Sequence, residues 1–260
     1  MELGLRGKTA VITGGSRGIG LETARAFLME GAHVALCARD IHTLEQAQQE
    51  LSPLGQVLAV EADATRQEDV ERFAGMAVER FGGIHCWINN VGASIKRAGE
   101  QYTPEEVQKT VAVCFESAVY GCQTAFRHMK ESGGAIVNIS SLAARCGTAG
   151  RSTLYGPLKA AVRELAVMFA AEYAAHHIRV NAVLPGFTMT PAVERTISKE
   201  ELEYNAGGTL LRRMARPEEI AWPIVFLCSD KASYITGTSL EVSGGRSVVL
   251  NPGFSYEGEQ

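Results

Sequence analysis

Thr13-Gly14-Gly15-Ser16-Arg17-Gly18-Ile19-Gly20 is the stretch from which the rest of this chain can be read. A short β-rich run, 9–13, precedes it, and a helical pattern of small and apolar residues follows, carried by Ile19, Thr23, Ala24, Ala26 and Phe27. In that order, a strand, a glycine turn and a helix let a backbone approach a diphosphate. Glycines keep Cβ atoms out of the way, and the helix start presents unpaired N–H groups at the positive end of its dipole. A tight turn with no ligand is the plainer reading, and the strand–turn–helix context outweighs it. Gly14, Ser16, Arg17, Gly18 and Ile19 are therefore the first candidate binding residues.

Outward from the turn, apolar strand segments at 34–37, 57–60, 85–89, 135–139, 179–184 and 239–242 alternate with helical patterns at 42–51, 70–81, 105–130, 155–175 and 218–227. Strands apolar on both faces, interleaved with helices, predict an α/β fold. Its parallel sheet of about seven strands is covered on both sides and doubly wound in the Rossmann manner. No linker or short-period repeat divides the chain, so residues 1–260 are expected to form a single domain. The weakly patterned 187–210 stretch is expected to be a substrate lid.

Composition narrows the function. The 260 residues are 46% hydrophobic and carry a net charge of −4, which suits one large core and argues against binding nucleic acid. Cysteines 37, 86, 114, 122, 146 and 228 form no C-x-x-C pair, and His176 and His177 lack partners at ligand spacing, so no metal site is expected. The thiols read as reduced and mostly buried. With no signal-like start and no apolar run of membrane-spanning length, the expected address is the cytoplasm, away from membranes.

The second strand ends Leu36-Cys37-Ala38-Arg39. An acid here would bind the ribose hydroxyls of a dinucleotide lacking a 2′-phosphate. Arg39, together with Arg17 in the glycine turn, instead suits a 2′-phosphate dianion, so the cofactor is read as NADP(H). Asp40, next in line, would weaken that field.

Several further blocks stand in order: Asp63-Ala64-Thr65, Asn89-Asn90-Val91-Gly92, Ser141, Tyr155-Gly156-Pro157-Leu158-Lys159, Asn181 to Gly186, Arg216 to Ala221, and Ala232 to Gly237. With the glycine turn, they resemble the short-chain dehydrogenase/reductase family from about Gly7 to Gly245. The resemblance implies that Asp63 and the Ala64 backbone meet the adenine, that Asn90 lies against the adenosine ribose and that Asn89 braces the sheet. It also implies that Pro185, Gly186, Thr188 and Thr190 hold the nicotinamide end. Asp63 as a helix cap and Asn89 as a turn residue are the plainer alternatives.

Tyr155 and Lys159 are four residues apart and share a helix face. Pro157 between them belongs in a first turn, so that helix should begin near Tyr155. A phenol titrates near ~10, and a neighbouring ammonium with an oxidised nicotinamide would lower that value toward a working acid/base. Lys159 could also hold the ribose hydroxyls. Family likeness gives Ser141 the orienting of the substrate oxygen, with Ser140 a lesser candidate. Cys114 stands where many relatives carry an asparagine that kinks its helix and holds a water, and a thiol is a poorer hydrogen-bonding group. Pro223 should kink its helix or follow a break.

These residues imply hydride transfer between NADP(H) and a small carbonyl/alcohol substrate. The resemblance extends to 3-oxoacyl-[acyl-carrier-protein] reductase-like members. A dehydrogenase of cyclic, sterol-like or aromatic alcohols is the alternative within the class, and a weakly catalytic NADP(H)-binding sensor or structural protein the alternative outside it. By the same resemblance the two long helices would build a homodimer or homotetramer. The tail beyond Gly245 would close the site, reach a neighbouring subunit or fray.

Overall fold

Seven parallel strands carry the chain in its computed structural model, which describes residues 2–94, 101–147 and 152–256. They are β1 (Thr9–Thr13), β2 (His33–Ala38), β3 (Val57–Glu61), β4 (Cys86–Asn89), β5 (Gly134–Ile139), β6 (Ile178–Pro185) and β7 (Ser239–Val242), in the spatial order β3-β2-β1-β4-β5-β6-β7. Strand order reverses between β1 and β4, where Ile12 pairs with Leu36 on one side and Ile88 on the other. Such a switch point opens a crevice at the carboxyl ends of the strands.

The two-residue period of a strand splits its side chains between two cores. Ala10, Ile12, Val34, Leu36, Val137 and Ile139 point to one face, where α1 (Gly18–Met29) and α9 (Pro217–Cys228) cover them with Ala24, Phe27, Ile220 and Ile224. Val11, Ala35, Cys37, Trp87 and Ile136 point to the other. There α3 (Gln67–Phe81), α5 (Ser117–Met129) and α6 (Tyr155–Tyr173) supply Phe73, Met129 and Ala166. This two-sided burial is why the strands read as apolar throughout; each large side chain so buried contributes about 1.5–3 kcal/mol.

Helix starts follow local chemistry. Asp40 caps α2 (Ile41–Leu51), its carboxylate accepting from Thr43 N at 2.8 Å. Thr103 and Glu106 form a capping box at α4 (Pro104–Val111). Pro157 falls in the first turn of α6, which starts at Tyr155 as its sequence requires.

The structure revises three boundaries. The expected 105–130 helix runs unbroken from Pro104 to Met129, but α4 passes into α5 through a π-helical turn, Ala112–Glu116. The 187–210 stretch contains two helices, α7 (Pro191–Glu194) and α8 (Lys199–Gly207). Of the α8 residues only Asn205 is fully buried, so no apolar stripe announced it; a capping box of Ser198 and Glu201 specifies its start. Finally, α9 continues through Pro223 with no break before it. Among the described residues no helix is long and apolar enough to cross a membrane.

Candidate active site

The glycine turn lies at the β1/β4 switch point. Gly14 and Gly18 have φ of 68° and 58°, in the left-handed region that suits glycine. A Cβ on Gly20 would stand 2.4 Å from the Gly14 carbonyl oxygen, so α1 packs against the turn backbone to backbone. Arg17, extended at the N-cap, gives α1 no side-chain acceptor, and the first turn holds no acid. The opening N–H groups therefore have no side-chain partner, the condition under which a helix start receives an anion. Ser16 lies beside them, its Oγ 3.5 Å from Thr43 Oγ1, and Ile19 packs inward against the core. This cradle fits a dinucleotide diphosphate.

Asn90 fastens the cradle. Its Nδ2 donates to Gly14 O at 2.9 Å and its N–H to Thr13 Oγ1 at 3.2 Å. Asn89 braces the sheet, accepting from Trp87 Nε1 at 2.7 Å and donating to Asn138 Oδ1 at 2.8 Å. From across the crevice, the Thr190 methyl lies 3.3 Å from where a Gly18 Cβ would be. The Thr190 hydroxyl accepts from Val193 N and caps α7.

Beyond the carboxyl ends of β1 and β2, Arg17 and Arg39 are exposed. Arg39 Nη1 is 4.0 Å from Asp63 Oδ2, a loose contact at a site where the guanidinium is 69% exposed. Asp63 does not cap α3. Its Oδ1 accepts from the Thr65 N–H and hydroxyl at 2.9 and 2.8 Å, closing a turn beside the buried Ala64. A groove of about 580 Å³ opens here, lined by Arg39, Ala62, Asp63 and Arg72 among others. At the opposite end Gly186 N donates to Val242 O, which seats Pro185 and Gly186 against β7, while Thr188 bridges to Ala215.

One strand over, β5 ends at the reacting group. The Ser141 hydroxyl lies close enough to the Tyr155 phenol to favour its ionised form, and it accepts from Ala143 N at 3.2 Å. Ser140 is buried and donates to the Lys159 carbonyl at 2.6 Å, so the two adjacent serines have different partners. Lys159 is 2% exposed; its Nζ donates to Ile139 O at 2.8 Å and lies 5.9 Å from the Tyr155 ring centroid.

Here the titration differs from the sequence expectation. Burial pushes the Tyr155 phenol up to about 12, opposed by the Ser141 hydroxyl and assisted by Cys114. Burial also lowers Lys159 to about 8. Desolvation penalises both charged forms, so in the cofactor-free protein burial works against the acidification expected from the ammonium together with an oxidised nicotinamide.

Cys114 lies inside the π-helical turn, so the distortion is present without an asparagine, and its thiol donates to Ala93 O at 3.1 Å. Cys146 is exposed and the other five cysteines are buried, all as free thiols.

Two features had no sequence signal. Ile139 contributes a backbone carbonyl, which any residue would supply. Arg246 lays its guanidinium 4.9 Å from the Phe187 ring centroid and 5.7 Å from that of Tyr204, and donates to Asn205 O at 2.8 Å. It thereby fastens the segment after β7 to the 187–210 region. Beyond it, Tyr256 Oη donates to Leu210 O at 2.6 Å, so the tail folds back onto that same region.

A doubly wound parallel sheet with an anion cradle at its switch point, and a serine–tyrosine–lysine group one strand away, defines a nucleotide-dependent oxidoreductase. The family model described as enoyl-(acyl carrier protein) reductase matches residues 14–247. A tropinone reductase homolog of Arabidopsis thaliana is 36% identical over 97% of this chain and 96% of its own. The crystal structure of a short-chain type dehydrogenase/reductase from Mycobacterium marinum matches with a TM-score of 0.90 at 31% identity, covering 95% of this chain and 98% of that one. The Pseudomonas aeruginosa RhlG/NADP active-site complex matches with a TM-score of 0.88 at 29% identity, covering 94% and 98%. The chain belongs to the short-chain dehydrogenase/reductase family, whose members bind a nicotinamide cofactor.

Proposed function

We propose that this chain interconverts a ketone and a secondary alcohol with NADP(H), Tyr155 acting as proton donor and acceptor. The observation that carries the reading is the Ser141 hydroxyl on the Tyr155 phenol, with the buried Lys159 ammonium on the same helix face. Bound in the crevice, the reduced cofactor supplies the hydride. Ser141 and Tyr155 hold the carbonyl oxygen between them. At neutral pH the phenol carries its proton, as reduction requires, and gives it to the oxygen as negative charge develops there. Lys159, protonated below about 8, lowers the cost of the phenolate left behind.

The 2′-phosphate preference is supported by the two exposed guanidiniums, Arg17 and Arg39, and by the absence of an acid at the end of β2. Asp40, the nearest carboxylate in sequence, is committed to capping α2. The RhlG complex holds NADP in a similar chain. Residues 187–210 act as the lid, and α5 and α6 build the oligomer contact, α6 presenting the exposed Val167 and Met168. The carbonyl belongs to a 3-oxoacyl thioester or to a cyclic ketone, which parallel assays on the two substrate types separate.

The test is NADPH oxidation over a panel of carbonyl compounds, with Tyr155→Phe as the variant. Wild type should turn over and prefer NADPH to NADH. Tyr155→Phe should bind NADPH normally and lose activity by about 10²-fold or more, the scale of general acid catalysis. Retained turnover in that variant removes Tyr155 from the chemistry. A wild type that binds NADPH but reduces nothing on the panel points to a sensor or structural protein.

A further inference from the structure

The end of the Lys159 side chain is bounded from three directions. Its Nζ donates to Ile139 O at 2.8 Å. Its own carbonyl accepts from the Ser140 hydroxyl at 2.6 Å, which ties the first turn of α6 to the end of β5. The third boundary is a bare stretch of backbone at Gly92. A Cβ built there stands 2.4 Å from Nζ and 2.9 Å from Cε of Lys159. Apart from its chain neighbours, nothing else among the described residues lies within 4 Å of that point.

Gly92 differs in this from the glycines packed against backbone, such as Gly20 and Gly156. Its φ is not in the left-handed region, so an L-residue fits the backbone without strain. Its added methyl would meet only the tip of one flexible side chain. At Gly20 the same methyl would strike the Gly14 carbonyl and the Asn90 amide, and at Gly156 the Ala143 carbonyl. An alanine at 92 therefore leaves the fold room to form and denies the ammonium its seat.

We propose that Gly92 is a positioning residue for the reaction, its missing side chain fixing where the Lys159 ammonium lies between the Ile139 carbonyl and the Tyr155 ring. The proposal rests on the assignment of Tyr155 and Lys159 to proton transfer. A displaced ammonium gives up its carbonyl partner in a buried place and no longer stands at the same distance from the phenol. Both changes alter how readily Lys159 keeps its proton and how strongly it stabilises the phenolate.

The experiment compares full-length wild type, Gly92→Ala, Lys159→Ala and the double variant by thermal melting, NADPH affinity and the pH profile of kcat. Gly92→Ala should fold and should melt below wild type, because the buried ammonium loses its carbonyl acceptor. Its kcat should fall by roughly 10-fold or more, the scale of losing one preorganised electrostatic group. KM for the carbonyl should move little, and the alkaline limb of the pH profile should shift. In the Lys159→Ala background Gly92→Ala should cost nothing further, since the group it displaces is gone.

Three results would each overturn the proposal: an unchanged kcat and pH profile in Gly92→Ala, an equal loss of kcat with and without Lys159, or an equal loss of stability with and without Lys159. If wild type binds NADPH but reduces no carbonyl, the proposed function fails. A wild type that reduces carbonyls while Gly92→Ala matches it in kcat and pH profile overturns the role of Gly92 alone and leaves the proposed function standing.

Discussion

The glycine turn and the Lys159 seat both depend on a missing Cβ, and they depend on it differently. At Gly20 the absent atom is replaced by backbone: the Gly14 carbonyl would lie 2.4 Å from it, and backbone cannot move without opening the turn. At Gly92 the absent atom is replaced by the tip of a lysine, which has other rotamers to occupy. On the proposed function, a side chain at the first glycine would disturb the glycine turn and one at the second would disturb the lysine beside Tyr155. The contrast predicts that substitution at Gly20 acts first on folding and cofactor affinity, and substitution at Gly92 first on turnover.

The strongest challenge to that contrast is Gly20→Ala. It should destabilise the protein by about 1–3 kcal/mol, the usual cost of forcing a methyl into packed structure. NADPH affinity should drop by roughly 100-fold, about 3 kcal/mol. Thermal melting and a fluorescence titration read the two effects. If Gly20→Ala binds NADPH as wild type does, the turn is softer than its geometry implies and the contrast disappears.

A smaller effect sharpens the cofactor side of the comparison. Arg39→Asp removes a side chain and leaves the turn intact, so stability should hold while the ratio of NADPH to NADH affinity falls. About 10–100-fold is expected, the worth of one charge-assisted contact with a phosphate. An unchanged ratio would transfer the 2′-phosphate contact to Arg17.

The smallest effect belongs to the reacting side. Cys114→Asn exchanges a weak S–H donor on the Ala93 carbonyl for an amide. Turnover should rise a few-fold, in keeping with a hydrogen-bond difference of about 0.5–1.5 kcal/mol. The pH–rate profile should shift, because Cys114 lies close enough to Tyr155 and Lys159 to influence both titrations. An unchanged profile would leave Cys114 a packing residue only.

How far the sequence could be read varied with the range of the interactions involved. All seven strands and most helices were legible because their signals are local: continuous apolar runs along β1, β2 and β5, Pro157 at the start of α6, the glycines at 14 and 18. The helix α8 was not, because it buries almost nothing and is specified by its cap. The π-helical turn at 112–116 was not, because the residue expected to create it is absent and the distortion persists without it.

The chain's residues alone determined the doubly wound sheet, the cradle at its switch point and the pairing of Tyr155 with Lys159, since each follows from spacing, backbone freedom and side-chain type; the candidacy of Ser141 came from the family resemblance. Only tertiary structure decided that Ser140 donates to the Lys159 carbonyl while Ser141 meets the phenol, that burial pushes the phenol up in the cofactor-free protein, and that Gly92 bounds the ammonium. Those outcomes depend on burial and on atoms brought together from β4, β5 and α6. Desolvation and close approach arise from packing, and no stretch of sequence contains them.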